Sequence, residues 1–98
     1  MGNPKPLYRF IFSARKHRIT KRRARHAIQH AVAILEVPSN VAGRPNLWMF
    51  LGDDHTGRPL EVGAIPLDPE GAWLVVHAMD LRNSYRAEYE RGRKEAGY

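Results

Sequence analysis

His77 stands in an otherwise apolar run, Trp73-Leu74-Val75-Val76-His77-Ala78-Met79, and Glu61 is the matching charged intruder in Leu60-Glu61-Val62. Imidazole exchanges a proton near neutrality, and a carboxylate beside it raises its proton affinity and orients the ring, as acid/base catalysis requires. A lone histidine near a strand end is more often a structural hydrogen-bonding residue, so the pair matters only if strand register joins the two. If both runs are arms of a hairpin, an odd loop with residue 67 opposite 71 sets Glu61 across from His77 on one face. A two- or four-residue loop slips the pairing by one and puts them on opposite faces. The sequence leaves both registers open.

Just downstream, Asp80-Leu81-Arg82-Asn83-Ser84-Tyr85-Arg86 brings two guanidiniums and a phenol to the strand end. The planar, permanently charged arginine fork suits phosphate; the plainer alternative is an Asp80 cap with Arg82 and Arg86 solvated. A second cationic group, Arg15-Lys16-His17-Arg18, flanks an imidazole, though such runs are usually solvated basic turns. His26 and His30 have the i, i+4 spacing of a helical metal pair. No third ligand is obvious and no motif extends the pair, so neither a metal site nor any other cofactor is expected. Phosphate-binding glycine loops, dinucleotide fingerprints and nucleophile elbows are missing from the sequence.

The elements that must position these groups are legible from periodicity. Residues 1–6 read as a short flexible leader and residues 7–98 as one domain. Tyr8, Ile11 and Phe12 fall at helical spacing, which predicts a helix from Tyr8 to His17, although Tyr-Arg-Phe-Ile-Phe also alternates as a strand does. Thr20 is placed to cap a longer helix from Lys21 to Val37, ended by Pro38, with Ala24, Ala27, Ile28, Ala31 and Leu35 on its buried stripe. Arg22, Arg25, His26, Gln29 and His30 then point to solvent. After a turn-rich loop, Leu47–Leu51, Leu60–Leu67 and Ala72–Met79 read as strands joined by turns of hairpin composition. Ser84 to Glu95 is helical again. The expected fold is α+β: helices packed on a three-stranded antiparallel β-meander, with a C-terminal helix.

Charge divides the 98 residues unevenly. Residues 1–35 hold nine Lys and Arg and no acid; residues 36–81 hold two Arg against seven acids; residues 82–98 hold five Lys and Arg against three acids. The net +6 is therefore a strongly basic first third and a mildly basic end set against an acidic centre. A basic block on one end of a small domain suggests a polyanion, nucleic acid above all, with docking on an acidic protein as the competing reading. Apolar runs such as Ala31 to Leu35 are far shorter than the ~18 residues of a membrane span. Arg9 interrupts the N-terminal apolar stretch, against a secretory signal. Cysteine is absent, which excludes disulfides and fits a reducing, cytoplasmic setting.

From about Ile11 to Tyr89 the chain resembles the BrnT-like toxins of the RelE/ParE superfamily. The likeness rests on Lys16-His17 ahead of a helix, on Leu51-Gly52 with Gly57-Arg58-Pro59-Leu60-Glu61-Val62, and on Arg82 to Tyr89 with Arg86, Glu88 and Tyr89. Arg18 stands where that family has glycine. His77-Ala78-Met79 stands where it has Ser-Ala-Arg, so the strand-end arginine is missing and Arg82, three residues on, is the candidate substitute. The resemblance implies a bacterial toxin that cleaves mRNA, free or ribosome-bound, and is blocked by a small cognate antitoxin, with homo- or hetero-oligomers in view. Metal-independent cleavage of this kind needs a base for the 2′-hydroxyl, cations for the phosphorane and an acid for the leaving 5′-oxygen. His77 or Glu61 would be the base, Lys16 and Arg82 the cations, and His17 or Tyr85 the acid. Arg15, Arg18, Arg22, Arg25 and Arg86 would bind RNA. A non-enzymatic nucleic-acid-binding module and a domain that docks an acidic protein are the alternatives.

Overall fold

The computed structural model describes residues 7–11, 17–67 and 71–98. The expected leader at residues 1–6 lies outside them, as do Arg15 and Lys16. The described residues form an α+β fold with five strands and two helices: β1 (Tyr8–Phe10), α1 (Lys21–Gln29), β2 (Ala31–Val37), β3 (Leu47–Asp53), β4 (Pro59–Leu67), β5 (Ala72–Asp80) and α2 (Arg86–Glu95), with a 3-10 turn at Asn83–Tyr85 before α2. No helix among them is long and apolar enough to cross a membrane.

The sheet is not the expected three-stranded meander but a five-stranded mixed sheet ordered β1-β5-β4-β3-β2, in whose middle β3, β4 and β5 are each antiparallel to the next. Both additional strands come from segments expected to be helical. Tyr8–Phe10 pairs parallel with β5, and Trp73 N–H donates to the Leu7 carbonyl at 2.7 Å. Tyr8 and Phe10 pack against the main core from this strand. The alternating pattern wins there because β5 offers an open edge to satisfy the backbone. The long helix stops at Gln29 with His30 as its C-cap, and Ala31–Val37 is strand β2, antiparallel to β3. Val32, Ile34 and Val37 lose side-chain freedom in a helix and fit a pleated surface, so pairing with β3 overrides the apparent stripe. The N-terminal expectation for α1 holds: Thr20 is extended, and its hydroxyl accepts from Arg23 N–H at 3.1 Å.

The two helices occupy opposite faces of the sheet. Ile19, Ala24, Ala27 and Ile28 join Phe50, Leu60, Val62, Ala64, Val75 and Ala78 in the main core under α1. Met49 and Leu51 alternate with Phe50 and therefore face the other way, where Tyr89 of α2 covers them. Gly52 and Gly92 set the approach of the helices. A Cβ at Gly52 would overlap the Ala27 carbonyl oxygen, and one at Gly92 would overlap that of Val32.

Candidate active site

The β4–β5 register decides whether Glu61 and His77 can meet. At the turn, Leu67 lies opposite Ala72, the four-residue connection that would send the two groups to opposite faces. A bulge then intervenes: Ala64 pairs with Val75, but Gly63 pairs with His77 and Glu61 with Met79. The extra residue, Val76, shifts the pairing by one and returns His77 to the face of Glu61, diagonally rather than directly across. Gly63 leaves the space for it, since a Cβ there would come within 3.2 Å of the His77 Cβ.

The resulting cluster lies on the face that carries α2. Glu61 is completely buried, beneath Leu51 on one side and Met79 on the other. Its Oε1 accepts from Arg82 backbone N–H at 2.9 Å and from Arg82 Nε at 3.0 Å, and Oε2 accepts from Arg82 Nη2 at 2.7 Å. His77 Nε2 completes the set at 3.0 Å from Oε2. Burial alone would raise the Glu61 pKa, but the hydrogen bonds from Arg82 and His77 prevail and hold it below the ordinary glutamate value. An ionised carboxylate only accepts, so His77 Nε2 carries a hydrogen, and in the neutral ring Nδ1 is the lone-pair acceptor. Both Glu61 oxygens are thus occupied by Arg82 and His77. Arg82 pairs with Glu61, while half of its side chain remains exposed. It reaches this place from three residues beyond Met79.

His17 arrives from a distant part of the sequence. Its ring lies edge-on to that of His77, with centroids 6.2 Å apart. Tyr85 is half-buried against the α2-side cluster under the Arg82 guanidinium, 5.6 Å from its centroid. Arg86 pairs with Glu90 at 3.5 Å one helical turn on. Of the basic residues assigned to RNA, Arg18, Arg22 and Arg25 are exposed at the start of α1. Arg18, Thr20, Lys21 and Arg22 line an open cleft of about 600 Å³. Arg18 has φ 60°, a left-handed backbone that glycine adopts freely and other residues do not.

Residues that sequence reasoning passed over hold the frame. Asp54, in the β3–β4 turn, is buried and takes Arg23 Nε at 2.7 Å, Thr56 N at 2.8 Å, Thr56 Oγ1 at 2.7 Å and Arg58 N at 3.0 Å. Burial opposes ionisation, but these hydrogen bonds, led by Thr56 and Arg23, carry the Asp54 pKa far below the carboxylate range. Composition identified the turn; only the fold reveals that it clamps α1. His26, expected in solvent, is half-buried and donates from Nδ1 to the Asp53 carbonyl at 2.9 Å. As the side chains stand, no three His, Cys, Asp or Glu among the described residues converge on one metal position. No protein-family model matches the chain, nor does any curated protein or solved structure.

Proposed function

We propose that the chain is an endoribonuclease that cleaves mRNA through its own side chains, acting as a translation-inhibiting toxin held in check by a small antitoxin. The observation that carries this reading is the buried Glu61 carboxylate, which fixes both His77 and Arg82 at the end of β5, with the His17 ring 6.2 Å from that of His77. His77 Nδ1 takes the 2′-hydroxyl proton, O2′ attacks the adjacent phosphorus, and the P–O5′ bond breaks. Protonated His17 gives its proton to O5′, leaving a 2′,3′-cyclic phosphate and a 5′-hydroxyl. Two imidazoles about 6 Å apart can flank a single phosphodiester, each within roughly 2.6–3.2 Å of the oxygen it serves. Arg82 stabilises the charge that develops on the phosphorane. The exposed Arg18, Arg22 and Arg25 supply the electrostatic track for the strand, and the resemblance to BrnT-like toxins supports the same substrate.

The deciding experiment is digestion of a purified mRNA by the purified chain, with end-group analysis of the products. Cyclic phosphate termini and a loss of at least about tenfold in His77→Ala are expected, since a general base contributes typically 10²–10⁴-fold. Intact RNA bound with a steep salt dependence would replace the nuclease by a nucleic-acid-binding module. Neither cleavage nor binding would leave the acidic-protein docking domain.

A further inference from the structure

His26 and His30 stand one turn apart at the C-terminal end of α1, the spacing of a helical metal pair that in sequence had no third member. The fold supplies one. The β3–β4 turn carries His55 to the same corner, with its ring centroid 6.3 Å from that of His26, while His30 stacks on His26 at 4.1 Å. All three imidazoles line a cleft of about 240 Å³, walled also by Asp53, Arg93 and Tyr98.

We propose that His26, His30 and His55 bind a divalent transition cation of the zinc class and thereby tie α1 to the β3–β4 turn. His26 is already prepared as a ligand. Its Nδ1 donates to the Asp53 carbonyl at 2.9 Å, which fixes the ring and leaves Nε2 as the lone-pair donor. A carbonyl that accepts from the other ring nitrogen in this way accompanies most metal-bound histidines. His30 and His55 are exposed, and no side-chain hydrogen bond among the described residues restrains either ring. Three imidazole nitrogens on one tetrahedral cation, each at about 2.0–2.1 Å, place ring centroids roughly 5–6 Å apart, between the two separations seen here. Closing the site therefore requires His30 to swing out of its stack and His55 to approach His26, both rotations of exposed side chains. The surroundings favour a cation. The carbonyl end of α1 carries the negative pole of the helix, and Arg93, the nearby positive charge, is directed to the Asp53 carboxylate at 3.4 Å. Imidazole-only ligation selects zinc, cobalt, nickel or copper over magnesium and calcium. The site is separate from His17, His77 and Arg82 and does not depend on RNA cleavage.

The test is titration of the untagged chain with Co²⁺ and Zn²⁺, following the visible absorption of Co²⁺ and the thermal midpoint with Zn²⁺. Expected are tetrahedral cobalt bands at micromolar metal, bleached by zinc, and a rise in midpoint. His30→Ala and His55→Ala, both surface changes, should each weaken binding at least about tenfold, whereas His17→Ala with His77→Ala should not. Absence of binding up to millimolar metal would overturn the proposal. So would affinity retained in His55→Ala, which would reduce the site to the helical pair, or affinity lost in the His17/His77 variant, which would move it elsewhere.

Discussion

At the scale of single residues, the division of labour around Glu61 is the point most open to experiment. A carboxylate that is fully buried and accepts from Arg82 and His77 cannot itself reach a substrate, so its influence passes through those two side chains. Glu61→Gln keeps the shape but offers an amide N–H where Arg82 and His77 need an acceptor, so the ring loses its fixed tautomer. The expected result is a fall in kcat of at least about tenfold with KM little changed, and a shifted acid limb of the pH–rate profile; Glu61→Asp should recover part of it. An unaltered profile would make Glu61 merely structural. Arg18 offers a different readout. Its left-handed backbone costs an ordinary side chain roughly 1–2 kcal/mol, partly offset for glycine by a more flexible unfolded chain. Arg18→Gly should therefore leave urea stability unchanged or raise it by up to about 1 kcal/mol, while RNA affinity drops with the lost charge. A clear loss of stability would show that the arginine side chain holds the turn.

At the scale of elements, helix docking rests on two missing side chains. Gly92 lets α2 press onto the Val32 carbonyl of β2, and Gly52 does the same for α1 at Ala27. Gly92→Ala must push the helix away or bend it. The gain in helix propensity, about 1 kcal/mol, is smaller than the cost of forced overpacking against backbone, about 1–3 kcal/mol. A net loss of about 1–2 kcal/mol in chemical denaturation is expected; a stabilised variant would mean that α2 rides higher on the sheet than described. The same scale explains what could be read beforehand. The meander and the Thr20 cap were legible because alternation, turn composition and a hydroxyl before a basic helix are local signals. β1 and β2 were not, because Tyr8–Phe10 and Ala31–Val37 become strands only where β5 and β3 present free edges. The bulge at Val76 was equally hidden. No residue type announces it, yet it alone brings His77 to the face of Glu61. That Arg82 lies near His77 could be guessed from proximity in sequence, whereas the approach of His17 to His77 joins segments far apart in the chain.

At the scale of the whole molecule, the charge partition acquires a structural cause. Five acids of the central segment fall among the described residues, and each has a partner: Glu36 with Asn46, Asp53 with Tyr89 and Arg93, Asp54 with Arg23, Glu61 with Arg82 and His77, and Asp80 with Arg58. Asp54 and Glu61 are buried and hold the frame together, whereas Glu36 and Asp80 keep their pairs at the surface. Arg22 and Arg25 on α1 remain exposed, so part of the basic character of the first third is carried at the surface. Because the frame depends on ionised carboxylates, it should fail in acid. Asp54 and Glu61 both have folded-state pKa values below their ordinary ones. Their stabilisation is complete above the unfolded carboxylate range, about 3.9–4.3, and is lost as pH falls further towards the folded values. Their contribution to the urea midpoint should be flat from pH 7 to about 5 and decline below about 4. Asp54→Asn puts an amide opposite Arg23 and should cost about 3 kcal/mol at pH 7, the scale of breaking a buried pair. Having no carboxylate left to protonate at that position, it should also show a shallower acid decline than the parent chain. Parallel pH curves for the two proteins would mean that Asp54 does not supply the acid sensitivity.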